Sequence, residues 1–369
     1  LNLGGDTRSL GGTADLTFLP FSIACPLPVA MKNGLDMALA MDIHQQSSGD
    51  WTAEVSAIET TGNIPADRLD VVIARGRLRC EPPRFKLSAK GDGSKSSARW
   101  QMDWKSIRAD GAGTTIAVPA AHGDGELQFN KVANGPVWTG HGRIQLPAPS
   151  FNGHGLSGKL DNLVLSARVE QQGTRPPALD GRLRWSNGRL RHKNSGLQLA
   201  GVRLDIPYRS DPREAGRDGT FSVDRVVHHE RIMGGIQGRV VQKKDAFVFT
   251  ATHSSDLFPD MIAAITGSIN TAGPLFKDAA IDVDVPAYQL PAGYDLGRIV
   301  PAMKGASLSG LLSAKVKASL SPKGILHGDL HLAMQDGQLR ITEKQMVLTG
   351  IDTSLHFPEL PRIRSGPAQ

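Results

Sequence analysis

Three short segments carry residue types that could do chemistry. Residues 153–158 read GHGLSG and match the GxGxxG pattern, whose glycines let a backbone approach a dinucleotide phosphate where a helix begins. Residues 228–230 read HHE and offer potential metal ligands. Asp282 and Asp284 form a carboxylate pair, which can exchange protons when its surroundings raise one pKa. Each of these functions needs a particular element to position its side chains.

The neighbouring sequence does not supply those elements. Residues 159–169 alternate as a strand does, whereas a dinucleotide motif opens a helix. Adjacent histidines in a strand point to opposite faces, whereas a zinc helix places two histidines on one face. Asp282 and Asp284 alternate with aliphatic residues, which indicates the solvated face of a strand. We therefore predict a non-enzymatic protein with no catalytic residues, no metal and no cofactor.

The composition of the whole chain is typical of strands and turns. Its 369 residues include 41 Gly and 23 Pro, spread along the sequence. The net charge of +6 serves either solubility or contact with an anionic partner such as lipid head groups. Nucleic acid is disfavoured, because aromatic residues are few and no basic helix is visible. Cys25 and Cys80 could pair as a disulfide or remain two thiols, and the sequence leaves both open.

Alternation of apolar and polar residues is the dominant pattern. Strict alternation predicts strands with one apolar and one solvated face. Helical patterns occur only at Asp256–Thr266 and Tyr294–Met303. The sequence therefore predicts an all-β fold, a long, repetitive, curved antiparallel sheet with one or two short helices. The clearest alternating runs are 163–169, 281–285, 312–320, 330–334 and 351–357.

An internal repeat supports a repetitive sheet. Residues 181–206 and 328–355 align without a gap when Gly188 is matched with Gly337, and a weaker third copy starts at Gly76. A strand unit that recurs in this way is how repetitive sheets are encoded.

The first copy contains a predicted hairpin. Asn187-Gly188 is a preferred pair for a type I′ turn, and pairing across it would place Trp185 opposite Leu190. Like charges opposite one another cost up to about 1 kcal/mol per pair, so the cations on the other face contact anionic head groups or form an ordinary solvated surface. These cations are Arg182, Arg184, Arg189, Arg191 and Lys193.

A sheet that is apolar on one face must cover that face. A second protein layer can do so, which gives a structural or adhesive β-sandwich module of a cell-envelope protein. A ligand can also do so, and a long aliphatic trough suits acyl chains, since each buried CH₂ gains about 0.8 kcal/mol. The trough is expected to be lined by Leu183, Leu190, Leu199, Leu312, Val316, Leu320, Leu330, Leu332, Leu339 and Ile341.

Three segments near the end resemble the C-terminal part of the YdbH-type members of the AsmA-like family. They are residues 286–310 (PAYQLPAGYDLGRIVPAMKGASLSG), 328–341 (GDLHLAMQDGQLRI) and 350–369 (GIDTSLHFPELPRIRSGPAQ). Residues 181–206 are similar to the upstream repeats of the same family. On this basis the chain divides into upstream β-repeats at 1–150, further β-repeats at 151–285 and a β-groove region at 286–369, truncated at its end.

The resemblance implies a bridge-like lipid transfer protein. Such a protein is a periplasmic rod of strands, anchored in the inner membrane by a segment that this chain lacks. Its hydrophobic groove carries phospholipids between inner and outer membranes, and a small outer-membrane lipoprotein is the implied partner. Some family labels name dicarboxylate transport instead, which would require converging cations in a closed site and is therefore the second choice among transport functions.

Overall fold

The computed structural model describes residues 2–360 with a set of short gaps. The gaps are 7–8, 19–20, 24–28, 32–34, 47, 59–68, 74–75, 82–83, 93, 112, 133–134, 154, 174–177, 210–216, 244–245, 273–274 and 322–325. Cys25 and the closing run 361–369 lie outside the described residues. Almost all described residues belong to strands.

The strands are numbered in chain order. β1 to β9 are Asn2–Asp6, Ser9–Phe18, Phe21–Ile23, Val29–Met31, Leu35–Gln45, Trp51–Ile58, Leu69–Ile73, Gly76–Cys80 and Arg84–Gly91. β10 to β18 are Lys95–Gly111, Thr114–Val132, Gly135–Leu146, Ser150–Gly153, Leu156–Leu160, Leu163–Gln172, Ala178–Trp185, Gly188–His192 and Leu197–Ala200. β19 to β27 are Arg203–Arg209, Gly219–His228, Arg231–Lys243, Ala246–Ser255, Ile262–Ala272, Leu275–Asp295, Ala306–Leu320, Leu326–Ile341 and Met346–Leu360. Single 3₁₀ turns occupy Leu296–Arg298, Pro301–Met303 and Thr342–Lys344.

The chain forms two units. The first unit comprises residues 1–195 and 202–211, and the second comprises 196–201 and 212–369. The strands of each unit pair antiparallel, mostly with their neighbours in sequence, as short connections favour. The predicted all-β class with a curved antiparallel sheet is confirmed.

Pairing in the second unit follows the chain from β20 to β27. Residues that are directly paired across antiparallel strands lie on the same face of the sheet. One such row is Val283, Val316, Leu330 and Phe357, which is apolar throughout. The apolar positions of the alternating sequences are therefore paired with one another from strand to strand.

The predicted hairpin at Asn187-Gly188 is wrong. β14 pairs with β17 and β15 pairs with β16, so the two segments run antiparallel as two long strands. Residues 161–162 interrupt one strand directly opposite residues 186–187, which interrupt the other. The Asn187 side chain donates to the Asp161 carboxylate, and the Asp161 N–H donates to the Asn187 carbonyl at 2.8 Å. The neighbouring strand thus satisfies the polar groups that a turn would have used, and Asn187 lies at a break in a strand.

The internal repeat is visible in the backbone. Gly201 and its counterpart Gly350 both have left-handed φ values, +66° and +67°. Gly196 and its counterpart Gln345 are also left-handed, at +66° and +48°. The third copy from Gly76 does not share this structure, because β8 and β9 pair one after the other with the same strand, β10.

The predicted helix at Asp256–Thr266 is wrong, because residues 256–261 form an irregular loop and β23 follows. Tyrosines of β24 hold this loop. The Tyr294 hydroxyl donates to the Leu257 carbonyl at 2.7 Å, and its ring stacks on Phe258 at 5.3 Å. The Tyr288 hydroxyl donates to the Pro259 carbonyl at 2.6 Å. Burial raises the pKa of both tyrosines. In Tyr294–Met303, only two 3₁₀ turns form.

We expect Tyr294→Phe to destabilise the second unit by about 1–2 kcal/mol, because it leaves the Leu257 carbonyl without its buried donor. Urea unfolding followed by circular dichroism measures this free energy, and limited proteolysis between residues 256 and 261 reports loosening of the loop. Tyr288→Phe is the control and should cost less, because Tyr288 is the more exposed tyrosine. Equal losses in both variants would contradict the dominant role of Tyr294.

Candidate functional site

One face of the second unit is apolar across strands β24 to β27. The row of Val283, Val316 and Leu330 lies beside a row that contains Val285, Ala314, Leu332 and Leu355. We call these residues, with their alternating neighbours Ile281, Leu312, Ala318 and Leu320, the second apolar face.

The second apolar face is only partly buried. Leu355 is 49% exposed and Ile281 is 37% exposed, although both belong to the second apolar face. Val316, Leu330 and Leu332 are half-buried. A second protein layer would bury such side chains almost completely, as in the core of a β-sandwich. The described residues of this unit therefore leave a contiguous aliphatic surface open to a ligand.

The first unit has an equivalent surface. A row crosses its sheet from Phe85 through Met102, Gly123, Ile144 and Leu165 to Leu183 and Ile206. We call this row and the apolar rows beside it the first apolar face. Its members Leu165 and Leu127 are 42% and 43% exposed.

Aromatic rings lie close to glycines of the partner strand in both units. Trp100 is paired with Gly125, and a Cβ at Gly125 would lie only 2.7 Å from the indole nitrogen. A Cβ at Gly238 would lie 2.5 Å from the ring of its partner Phe221. The same arrangement recurs at Gly267, where a Cβ would lie 2.3 Å from the ring of its partner Phe249. The rings fill the space that side chains on the partner strand would occupy, so no second bulky side chain projects at these positions.

Sequence reasoning missed these aromatic–glycine pairs. Their members are 17 to 25 residues apart, so the signal depends on strand register, which a single sequence does not reveal.

The predicted groove residues fall in separate places. Seven of them lie on β25 and β26: Leu312, Val316, Leu320, Leu330, Leu332, Leu339 and Ile341. The first five belong to the second apolar face, whereas Leu339 and Ile341 pair with Leu308 and Ala306 beyond a register shift between Ser309 and Leu311.

The other three predicted groove residues lie elsewhere. Leu183 is part of the first apolar face, between Leu165 and Ile206. Leu190 on β17 is opposite Gly158, and Leu199 on β18 is opposite Val226.

The cations of β16 and β17 do not form one fan. Asp205 accepts from both Arg182 and Arg184, and Arg184 is directly opposite Asp205 in the ladder. The expected repulsion between arginines is therefore absent there, because the pairing partner of β16 is β19. Arg189, Arg191 and Lys193 are exposed, and they are the members of the set that an anionic head group could reach.

The segments considered for chemistry lie in turns and on strands. Gly155 of the GxGxxG match sits in a turn with φ of +76°, and a strand follows it, as predicted. His229 and Glu230 form a tight hairpin turn, with φ of +45° and +69°. Asp282 is opposite Lys317 on the polar face of the second unit. Among the described residues, the three-residue group that could hold a metal ion is Asp329, His331 and His356, also on that face.

Comparison with known proteins gives no relative. No family model matches the chain, and neither a curated protein nor a solved structure matches it. Within the described part of the chain, no helix is long and apolar enough to cross a membrane.

Proposed function

We propose that the chain is a non-catalytic segment of a bridge-like lipid transfer protein, in which the apolar sheet faces hold the acyl chains of phospholipids. The observation that carries the proposal is the partial exposure of the second apolar face, where aliphatic side chains in continuous rows lack a covering layer among the described residues. An acyl chain would cover this surface without needing polar partners.

The chemistry of the faces favours a ligand that slides. Half-burying ten methylenes gains about 4 kcal/mol, which corresponds to a dissociation constant of about 1 mM per chain segment. Aliphatic rows and aromatic rings offer few directional contacts, so one position on the face resembles the next. A tight, specific pocket would instead combine enclosure with a few converging polar groups.

The cellular setting of the proposal comes from the resemblance of residues 286–369 to the AsmA-like family. We infer a periplasmic protein attached to the inner membrane and working with a small outer-membrane lipoprotein. Arg189, Arg191 and Lys193 are the proposed contacts for anionic head groups. A dicarboxylate site is less favoured, because Arg182 and Arg184 are already paired with Asp205.

Photo-crosslinking tests the proposal directly. We expect p-benzoylphenylalanine at Leu330 to capture phospholipid when the chain is mixed with phospholipid vesicles and irradiated, with mass spectrometry identifying the adduct. The matched control is the same amino acid at Lys317, on the opposite face of the adjacent strand. Lipid adducts at neither position, or equally at both, would refute the proposal. Protein adducts at Leu330 would favour the structural or adhesive module.

A further inference from the structure

We propose that Asp329, His331 and His356 form a binding site for a zinc-type divalent ion on the polar face of the second unit. The proposal is independent of the lipid function, because these residues lie on the side of the sheet opposite the second apolar face. Sequence reasoning considered residues 228–230 as ligands and overlooked this group, whose two histidines are 25 residues apart.

Strand pairing brings the three side chains together. His331 on β26 is directly opposite His356 on β27. Asp329 precedes His331 by two residues, so its side chain lies on the same face. The two imidazole rings stack with centroids 3.8 Å apart and planes inclined by 13°. Because all three positions belong to paired strands, the arrangement does not depend on a loop.

Both imidazoles direct a nitrogen at one carboxylate. His356 Nε2 lies 2.7 Å from Asp329 Oδ2, and His331 Nε2 lies 3.2 Å from Asp329 Oδ1. One ligand atom from each residue can be chosen so that all lie within 4.8 Å of one another. A tetrahedral zinc ion with bonds of about 2.0–2.2 Å needs ligand atoms roughly 3.3 Å apart. Because the imidazoles are stacked nearly parallel, one ring must rotate about χ2 before both nitrogen lone pairs can point at the same ion.

The donor set selects the class of ion. Two imidazole nitrogens and one carboxylate suit zinc and its neighbours, whereas magnesium and calcium prefer oxygen ligands alone. The carboxylate of Asp329 supplies the oxygen ligand of this set. Both histidines are exposed, so water or a partner's side chain could complete the coordination.

Lys317 is the group that opposes the ion. It is directly opposite Asp329 in the ladder, and its positive charge competes for the same carboxylate. Asp282 is directly opposite Lys317 on the other neighbouring strand, so its negative charge attracts the Lys317 ammonium away from Asp329. We therefore expect Lys317→Ala to strengthen zinc binding severalfold.

Calorimetric titration of the purified 369-residue chain tests the site, with zinc chloride as the probe. We expect one zinc ion per chain, and at least about tenfold weaker binding in His331→Ala and His356→Ala. His228→Ala is the matched control, since His228 is also an exposed histidine of the second unit, and it should bind as the wild type does. Magnesium chloride should give no comparable binding.

Two results would overturn the proposal. One is a wild-type chain that takes up no zinc at about 100 µM, a concentration well above the dissociation constant of an ordinary three-ligand site. The other is unchanged affinity in both histidine variants, which would place any bound zinc elsewhere. Circular dichroism confirms that the variants are folded. Visible absorption of bound cobalt, lost in His356→Gln, gives a second readout that reports ligand identity.

Discussion

Val316→Asp and Leu330→Asp should each reduce phospholipid transfer between vesicles at least about tenfold while the chain stays folded. The two residues are directly paired at the centre of the second apolar face, so either carboxylate would meet an acyl chain lying across β25 and β26. An ionised carboxylate without a partner resists removal from water by several kcal/mol, which exceeds the gain from the neighbouring methylenes. In the absence of lipid the same carboxylate stays hydrated, because this face is only half-buried.

Ser319→Asp is the matched control for this prediction. It adds the same charge to the same strand, at an exposed position on the polar face. Transfer should continue at the wild-type rate in this variant. If Val316→Asp instead unfolds the chain, as judged by circular dichroism, the face is sealed by protein and the lipid proposal fails.

Gly125→Ala should destabilise the first unit by about 2 kcal/mol, whereas Gly181→Ala should be nearly neutral. A methyl group at Gly125 would lie 2.4 Å from the His141 carbonyl oxygen and 2.7 Å from the Trp100 indole. The backbone oxygen cannot move without disturbing β12, so the strain resembles that of an overpacked core. At Gly181 the nearest atom would be 3.2 Å away, which needs only a small adjustment.

The two glycine variants are closely matched. Gly125 and Gly181 lie on the first apolar face in one cross-sheet row, and both oppose an aromatic residue, Trp100 and Tyr208. All five tryptophans of the chain belong to residues 51–185, so tryptophan fluorescence during urea unfolding reports on the first unit alone. Equal stability of the two variants would show that the ring of Trp100 can move at little cost, so that a side chain is tolerated at residue 125.

The sequence was sufficient wherever the information is local. Alternation through residues 312–320 predicted a strand and the side on which Leu312, Val316 and Leu320 lie, because the side-chain period of a strand is two. The repeat between residues 181–206 and 328–355 is likewise visible in the backbone, since Gly201 and Gly350 occupy equivalent positions that are both left-handed, a conformation open to glycine.

The sequence was insufficient wherever the outcome depends on which strands pair. Asn187-Gly188 has the composition of a tight turn, but β14 and β15 supply partners that keep the chain extended through it. Residues 256–261 have helical signals, but the Leu257 and Pro259 carbonyls accept from Tyr294 and Tyr288, which belong to a distant strand. The Asp329–His331–His356 group exists only because β26 and β27 meet in one particular register.

Consecutive pairing from β20 to β27 has a consequence for how such a chain can change in length. A strand that touches only the strands before and after it places no demand on more distant parts. Insertion or deletion of two successive strands would leave the direction of every other strand, and the side on which each of its residues lies, as they were. Evolution could therefore lengthen or shorten the sheet by copying or losing hairpins, with no redesign of what remains.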